Sequence, residues 1–567
     1  MSRRNEKELA WRKVDLHIHT PASSCYAQPD VTLLQILEQA ELKGLDIIAL
    51  TDHNTVAGYA RLMTEIEELE LLTRLNRLRS EEKQRLHRYQ ELVEKVLVLP
   101  GFEFTATLGF HILGIFSKQA SVRELEHILL DLHVPPEKLD KGSTEVGATV
   151  DVLTAYRIIA EAGGLVIAAH ANSTHGVALQ GFDFGGQTKV AYTQDPNLHA
   201  LEVTDLESTK RRSTASFYSG SKPEYPRRMH CIQASDAHRL VRDPHDKTAL
   251  GVGDRVTEAL LPELSFEALK EVFLSDDFSR TRPYRLAQEP FDHVEEARKR
   301  GANIVQAFHP RMSRQGGRLH NIIRDVGALA NTNGGTIYAG VSGALKEPPV
   351  GIDDPEEAIN TLRAEIHRKL IPSIDVDIAV QRSKGKNIIR IVVPKGTDLP
   401  YVMDNGHIYV RQESETSLAV REEIIQLVKR PLEAEGSPEV EGAEQVEATS
   451  GQVPSPKTGV EVVESVERKG VQYHTVRDLR NGNLVSNVTR SSARRLWRYA
   501  IVEREENPPD GLDITWHNDI GLIKCYRRNG RTRYDLAQRD ADGKLHVYYG
   551  VSEEGIHGTW RTFLEGD

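Results

Sequence analysis

Short apolar runs that end in a histidine or a carboxylate recur through the first half of the chain. In Val14-Asp15-Leu16-His17-Ile18-His19-Thr20 polar and apolar positions alternate. A strand places alternate side chains on one face, so His17 and His19 are expected to point the same way, ~6–7 Å apart. Asp46-Ile47-Ile48-Ala49-Leu50-Thr51 ends in Asp52-His53, and Val96-Leu97-Val98-Leu99-Pro100-Gly101-Phe102 ends in Glu103. Phe110 and His111 open the run Ile112-Leu113-Gly114-Ile115-Phe116, Leu165-Val166-Ile167-Ala168-Ala169 ends in His170, and Cys231-Ile232-Gln233-Ala234-Ser235 ends in Asp236-Ala237-His238. Buried parallel strands read as runs of this kind, and α/β barrels carry their chemistry at the carboxyl ends of such strands. With Ala200 to Thr204 as another strand, the count is seven.

Between the strands the period changes to that of a helix. Thr32 is placed to cap a helix through Glu41 that ends near Gly44. From Tyr59 to Glu94, Leu62, Ile66, Leu69 and Leu72, then Leu86, Tyr89, Leu92 and Val96, fall at helical spacing, with Ser80 as the N-cap of a restart. Two readings stand: an inserted helical hairpin offering a partner or homo-oligomer surface, or one extended barrel helix. Residues 134–150 read as a loop, Thr154 to Ala162 as a helix closed by Gly163-Gly164, and the glycine-rich stretch Ala171 to Pro196 as a mobile loop over the site, with His175 facing either a phosphate or solvent. Leu264 to Lys270 is the last barrel helix.

Imidazoles and carboxylates that converge at strand ends can share divalent metal ions. Composition narrows the setting. The 567 residues allow two to four domains, and 39% hydrophobic with 27% charged residues is globular. A net charge of −11 argues against nucleic-acid binding by bulk charge and leaves local basic patches open. Three cysteines exclude a disulfide framework and favour a reducing, cytoplasmic setting. The charged start, Met1-Ser2-Arg3-Arg4-Asn5-Glu6, does not read as a signal peptide, and no run is apolar enough for a membrane span.

Asp-Leu-His-Ile-His-Thr, Leu-Thr-Asp-His-Asn, Pro-Gly-Phe-Glu, His-Ile-Leu-Gly, Ala-Ala-His and Ser-Asp-Ala-His, in this order, resemble the successive motifs of the polymerase and histidinol phosphatase (PHP) family. The resemblance covers roughly residues 12–285 and implies a distorted (β/α)7 barrel within residues 1–288, with the helical insertion at about 59–95. It also implies two or three divalent metals (Mn2+, Zn2+ or Fe2+) and hydrolysis of phosphoesters. His17, His19, His53, Glu103, His111, His170, Asp236 and His238 are the implied ligands. In the family the first loop supplies one more ligand at about the position of Cys25; here that residue is either a thiolate ligand or a small thiol beside the site. Asp15 and Asp52, each near ligand histidines, are candidates for catalytic-site carboxylates that orient an imidazole. Glu202 stands where family members often have a glutamate.

A second segment, 289–430, centres on Gly327-Ala328-Leu329-Ala330-Asn331-Thr332-Asn333-Gly334-Gly335-Thr336-Ile337-Tyr338-Ala339-Gly340-Val341, a helix, a turn tolerant of positive φ, and a strand. With His407 to Arg411 and Ala419 to Ile424 it resembles the Schlafen-type AlbA-like domain, an α+β domain whose relatives bind nucleic acid and in some cases cut RNA. The Glu-x-Lys-like strand of the cutting relatives is replaced here by Asn303 to His309, which favours binding; a structural or dimerising role is the alternative. Residues 431–460, rich in proline and glutamate, read as a flexible acidic linker. Residues 461–567 read as a small α+β domain, with helical candidates at Thr475 to Leu479 and Ser491 to Tyr499. Its basic residues interleave with aromatics, and Arg494, Arg495, Arg498, Arg527 and Arg528 are candidates for nucleic-acid contact, or form a solvated face. The whole reads as a metal-dependent phosphoesterase, in the first place a nuclease recruited to DNA or RNA by its later domains. A phosphatase of a small phosphomonoester or nucleotide, and a nucleic-acid-binding regulator with a vestigial site, are the alternatives.

Overall fold

The computed structural model describes residues 9–146, 150–173, 176–178, 186–208, 213–284, 291–313, 315–435, 453–468, 470–480, 482, 484–490, 493, 495–528, 531–540 and 543–564. The chain divides into two compact units, one of residues 1–219 and 227–293, the other of residues 220–226 and 294–567. Among the described residues no helix is long and apolar enough to cross a membrane.

The first unit is built on a nine-stranded sheet in the order β7-β6-β5-β4-β3-β2-β1-β8-β9. Its strands are β1 (Ala10–Ile18), β2 (Ile47–Leu50), β3 (Leu97–Thr105), β4 (His111–Ile115), β5 (Leu165–Ala168), β6 (Ala200–Glu202), β7 (His230–Ile232), β8 (Thr257–Leu261) and β9 (Thr281–Pro283). β1, β2 and β3 run parallel, as do β5, β6 and β7. β4 runs against both of its neighbours. That reversal brings the start of β4, and so His111, to the end of the barrel where the other strands finish. The segment after β7 returns to β1 through a bridge between Ile18 and Ala237, with the His19 amide donating to the Ala237 carbonyl over 3.0 Å. Seven strands thus close nearly into a ring, and β8 and β9 extend the sheet beside the first half of β1.

One irregularity decides where the first two histidines point. Along β1, Val14 and Leu16 share a core with Ile47, Ala49 and Leu269, while Ile18 joins Ile48, Leu50 and the surrounding helices in another. Strict alternation would put Leu16 and Ile18 on one face. Between Asp15 and Ile18, however, β1 carries one residue more than β2 does between its partners Ile48 and Leu50. This bulge reverses the parity, so His17 and His19 continue the inner face that Val14 and Leu16 begin.

The helices are α1 (Leu33–Leu42), α2 (Ala57–Arg74), α3 (Ser80–Lys95), α4 (Val122–Asp131), α5 (Val152–Glu161), α6 (Gly186–Gln194), α7 (Thr214–Phe217) and α8 (Phe266–Leu274). Thr32 caps α1, and its hydroxyl accepts from the Gln35 amide. Residues 59–95 form two separate helices, α2 and α3, and not one extended helix; Leu62, Leu69, Leu86, Tyr89 and Leu92 pack into the core that contains Ile18 and Ile48. The cap of α3 is Arg79 and not Ser80, with the Glu82 carboxylate accepting from the Arg79 amide over 2.8 Å. The stretch expected to be a loop over the site contains α6, which glycine content obscured; His175 lies outside the described residues.

The main stretch of the second unit begins within α9 (His293–Arg300). A four-stranded sheet follows in the order β10 (Gln306–His309), β11 (Gly335–Ala339), β14 (Lys386–Val393), β13 (Asp377–Ser383). Against it pack α10 (Arg318–Ala330) and α11 (Pro355–Lys369). The Asn-Gly-Gly turn has φ of 67° at Gly334 and 149° at Gly335, where a Cβ would meet the Val305 carbonyl at 2.3 Å. The pair β12 (Leu370–Ile371) and β15 (Val402–Met403), the hairpin β16 (Tyr409–Gln412) and β17 (Glu415–Leu418), and α12 (Arg421–Glu435) complete this part.

A seven-stranded antiparallel sheet follows, ordered β20 (Leu484–Val488), β19 (Val471–Asp478), β18 (Val460–Arg468), β24 (Leu545–Ser552), β23 (Arg531–Arg539), β22 (Ile520–Arg528), β21 (Thr515–His517). One helix, α13 (Arg495–Glu506), packs on it through Trp497, Ala500 and Ile501. Of Thr475 to Leu479, read above as helical, Thr475 to Asp478 belong to β19, where His474, Val476 and Asp478 alternate inward. The segment read as a linker is ordered at both described ends. α12 runs to Glu435, and the Pro454 carbonyl accepts from the buried Trp560 indole over 2.8 Å.

Candidate metal centre

The ring of strand ends converges on Glu103. Its Oε1 lies 2.9 Å from His111 Nδ1 and 3.2 Å from His170 Nε2. Its Oε2 lies 2.9 Å from His53 Nδ1 and 3.3 Å from both His17 Nε2 and His19 Nε2. Asp236 Oδ1 approaches the same two nitrogens at 3.4 and 3.6 Å. His238 stacks on His19 with ring centroids 3.9 Å apart. Three groups have ligand atoms close enough to share an ion: His17, His19 and Asp236; His53, Glu103 and His111; His19, His53 and His238.

Outer partners orient four of the imidazoles. His17 Nδ1 lies 2.7 Å from Glu202 Oε2, a contact that turns Nε2 toward Glu103. His19 Nδ1–H donates to the Ser23 hydroxyl at 3.0 Å, and that hydroxyl donates to Asp52 Oδ1 over 2.6 Å. His170 is set by Ser173 at 2.8 Å, and His238 Nδ1–H donates to the Asp236 carbonyl over 3.1 Å. His170 and Asp236 have φ of 28° and 51°. Non-glycine residues held there cost roughly 1–3 kcal/mol each and cluster at functional sites.

The electrostatics fit a cation. Burial opposes charge on His17, yet Asp236, Glu103 and Glu202 outweigh it and hold its pKa well above the usual value. Burial likewise opposes ionisation of Glu103, but His111, His53 and His17 keep it well below the carboxylate range. Burial prevails at His238, pushed down to about 4. Glu103 Oε2 and His53 Nδ1, both buried, have no hydrogen-bond partner. A buried carboxylate oxygen without a donor is costly, and a metal ion shared with the facing imidazoles would satisfy both atoms.

Three expected residues behave differently. Cys25 is exposed and stands outside the three groups, and the first loop turns Ser23 toward the cluster instead. Asp15 does not orient an imidazole. It accepts from the Ser235 and Gly253 amides, both at 3.0 Å, tying the loops beyond β7 to β1. Asp52 reaches His19 only through Ser23, and it also accepts from the Thr20 amide and hydroxyl at 2.7 and 2.8 Å. The direct carboxylate is Glu202, which ends an apolar strand as the ligands do, a signal that was present. Ser23 and Gly58 carry no such signal. A Cβ on Gly58 would lie 2.1 Å from Asp52 Oδ2, so α2 abuts this network.

In the second unit Arg495 and Arg527 are exposed, and the Arg495 guanidinium pairs with Glu415 at 2.8 Å. Arg498 donates to the Arg490 and Ala493 carbonyls at 3.0 and 3.4 Å. Arg494 and the side chain of Arg528 lie outside the described residues.

Residues 306–420 match the family model described as Schlafen, AlbA_2, inside the segment read as such a domain. No curated relative matches the chain. Similar solved structures include an Endonuclease Q complex with a 27-mer duplex bearing an abasic lesion, 16% identical, covering 47% of this chain and 56% of that one, TM-score 0.30. The similar region is thus little more than half of that endonuclease chain. PfuEndoQ, a lesion-specific endonuclease from Pyrococcus furiosus, is 13% identical over 68% of this chain and 96% of its own, TM-score 0.32. A candidate metal-dependent phosphoesterase from Bifidobacterium adolescentis is 15% identical over 48% of this chain and 100% of its own, TM-score 0.28.

Proposed function

We propose that the protein is a metal-dependent phosphoesterase that hydrolyses phosphodiester bonds in nucleic acid. The observation that carries the reading is Glu103, a buried carboxylate faced by five imidazoles, whose Oε2 has three ring nitrogens within 3.3 Å and a well-formed hydrogen bond to none of them. The motif resemblance of residues 12–285 supports the same chemistry.

His17, His19, Asp236 and Glu103 Oε2 would hold one ion; His111, His170 and Glu103 Oε1 a second; His53 and His238 a third. Two or three divalent transition ions (Mn2+, Zn2+ or Fe2+) would there supply Lewis acidity, activating water and neutralising charge on the phosphoryl oxygens. Glu202, Ser23 and Ser173 hold the outer nitrogens of His17, His19 and His170, so that with an ion bound each inner nitrogen would present its lone pair. The side chains of Asp236 and His238 are 30% and 31% exposed while His17 and Glu103 are closed off, so the phosphoryl group enters on the Asp236–His238 side. The exposed Arg495 and Arg527 and the Schlafen-type domain supply contacts for a polyanion.

The test is a manganese-supplemented screen of purified full-length protein against single- and double-stranded DNA, RNA and a generic phosphomonoester. Cleavage of a nucleic acid, abolished in His17→Ala/His19→Ala with the fold retained by circular dichroism, is the expected result. Turnover of the monoester alone would replace the reading with that of a small-molecule phosphatase.

A further inference from the structure

In the second unit, a cavity of about 250 Å3 lies between the turn after α10, the helix α12 and the end of β19. Arg480 is its unusual wall. Its Nη2 donates to the Ser221 carbonyl over 3.0 Å, but Nε and Nη1 are buried without a hydrogen-bond partner. A guanidinium has no conformation that hides its donors, and leaving them desolvated and unpaired is costly. The neighbouring carboxylate does not relieve it: Asp478 Oδ1 accepts from the Arg480 amide at 3.1 Å, and Oδ2 from Gln412 Nε2 at 2.8 Å.

Across the cavity Arg430 makes only a 3.5 Å contact, to the Asn331 carbonyl. Lys222 and Arg411 also line the space, so cations outnumber Glu423 and Asp478 by two. Arg411 is committed elsewhere, donating to the Asn303 and Gln306 carbonyls at 3.0 and 2.8 Å. Glu423 is turned to the start of α12, where it accepts from the Val420 amide at 2.9 Å. Among the described residues no aromatic ring lines the cavity, so it offers no platform for stacking a base. A small anion with several acceptor oxygens matches what the walls present.

We propose that this cavity is a phosphate-binding pocket, taking the phosphoryl group of a nucleotide or of a nucleic-acid end onto the two unspent donor atoms of Arg480, with Arg430 as the opposing charge. The proposal stands apart from the metal centre, and it fits residues that no phosphoesterase step uses.

The test is calorimetry on chelator-treated full-length protein, so that the barrel contributes no metal-held phosphate. The probes are inorganic phosphate, AMP, and a short single-stranded DNA with and without a 5′-phosphate. Binding that requires the phosphate is expected, weakened about tenfold or more in Arg480→Gln, and more modestly in Arg430→Gln. Circular dichroism checks that each variant is folded, and Arg430→Gln alone carries the test if the other is not. DNA binding that depends on the 5′-phosphate, without AMP binding, identifies a nucleic-acid end; AMP binding sensitive to Arg480 identifies a nucleotide. Absence of phosphate-dependent binding in the wild type, or unchanged binding in the folded variants, overturns the proposal.

Discussion

At the scale of single residues, the site is a set of imidazoles, and outer partners hold four of them, His17, His19, His170 and His238. Glu202 is the strongest of these outer partners. Glu202→Ala should weaken metal affinity by about 10–100-fold, as loss of such carboxylates does elsewhere, with little change in fold. Competition against a metal indicator dye measures this, and unchanged affinity would show that His17 needs no orienting partner. The eight histidine, aspartate and glutamate positions at the barrel mouth were legible because chemistry at strand ends repeats, and one misfit tells why the rest was not. Cys25 stands in the right loop, but a loop's local turn decides which side chain faces inward, and here that is Ser23. Asp478 offers a separate check by pH. An aspartate in an unfolded chain titrates near about 4, whereas burial pushes Asp478 up to about 6. Within that window the folded state keeps a proton that the unfolded chain has lost, so stability falls as pH rises and stays reduced above it. Asp478→Asn removes the effect. Its melting temperature relative to wild type should therefore stand higher at pH 7 than at pH 4, and a constant difference would place Asp478 in a solvated setting.

At the scale of elements, the bulge in β1 and the start of α2 do the positioning. Neither is visible in a polarity pattern. Alternation predicted that His17 and His19 share a face, but which face depends on one extra residue between Asp15 and Ile18. Thr475 to Leu479 failed as a helix because a five-residue window cannot separate the two periods, and pairing with its neighbours decided the matter. Gly58 sits against Thr20 and Asp52, so Gly58→Ala must displace a buried, hydrogen-bonded pair. Reduced metal content with a nearly unchanged melting temperature is expected by elemental analysis and calorimetry; full metal content would mean that α2 shifts freely. The α2–α3 hairpin was legible from its leucine spacing. Leu92 is fully buried in the shared core, and Leu92→Ala should cost about 2–5 kcal/mol by chemical denaturation. A cost below about 1 kcal/mol would mean that the hairpin is not integral to the barrel's stability.

At the scale of the whole molecule, a barrel with a candidate metal centre and a unit that carries the Schlafen, AlbA_2 match are joined in one chain. Strand count and motif order made the barrel legible, whereas the seven-stranded sheet in the last part of the chain was not, because its strands carry many polar residues and the pairing that joins its two runs of successive strands, β18 with β24, links segments far apart in sequence. The cluster around Glu103 is proposed to hydrolyse phosphodiesters with bound metal. The most direct measurement is turnover of bis(p-nitrophenyl) phosphate by chelator-treated full-length protein as manganese is added back. The account predicts activity that appears with metal, saturates at two or three ions per chain, and is lost in a folded Glu103→Gln variant. Activity that ignores added metal, or a Glu103→Gln variant as active as the wild type, would contradict it.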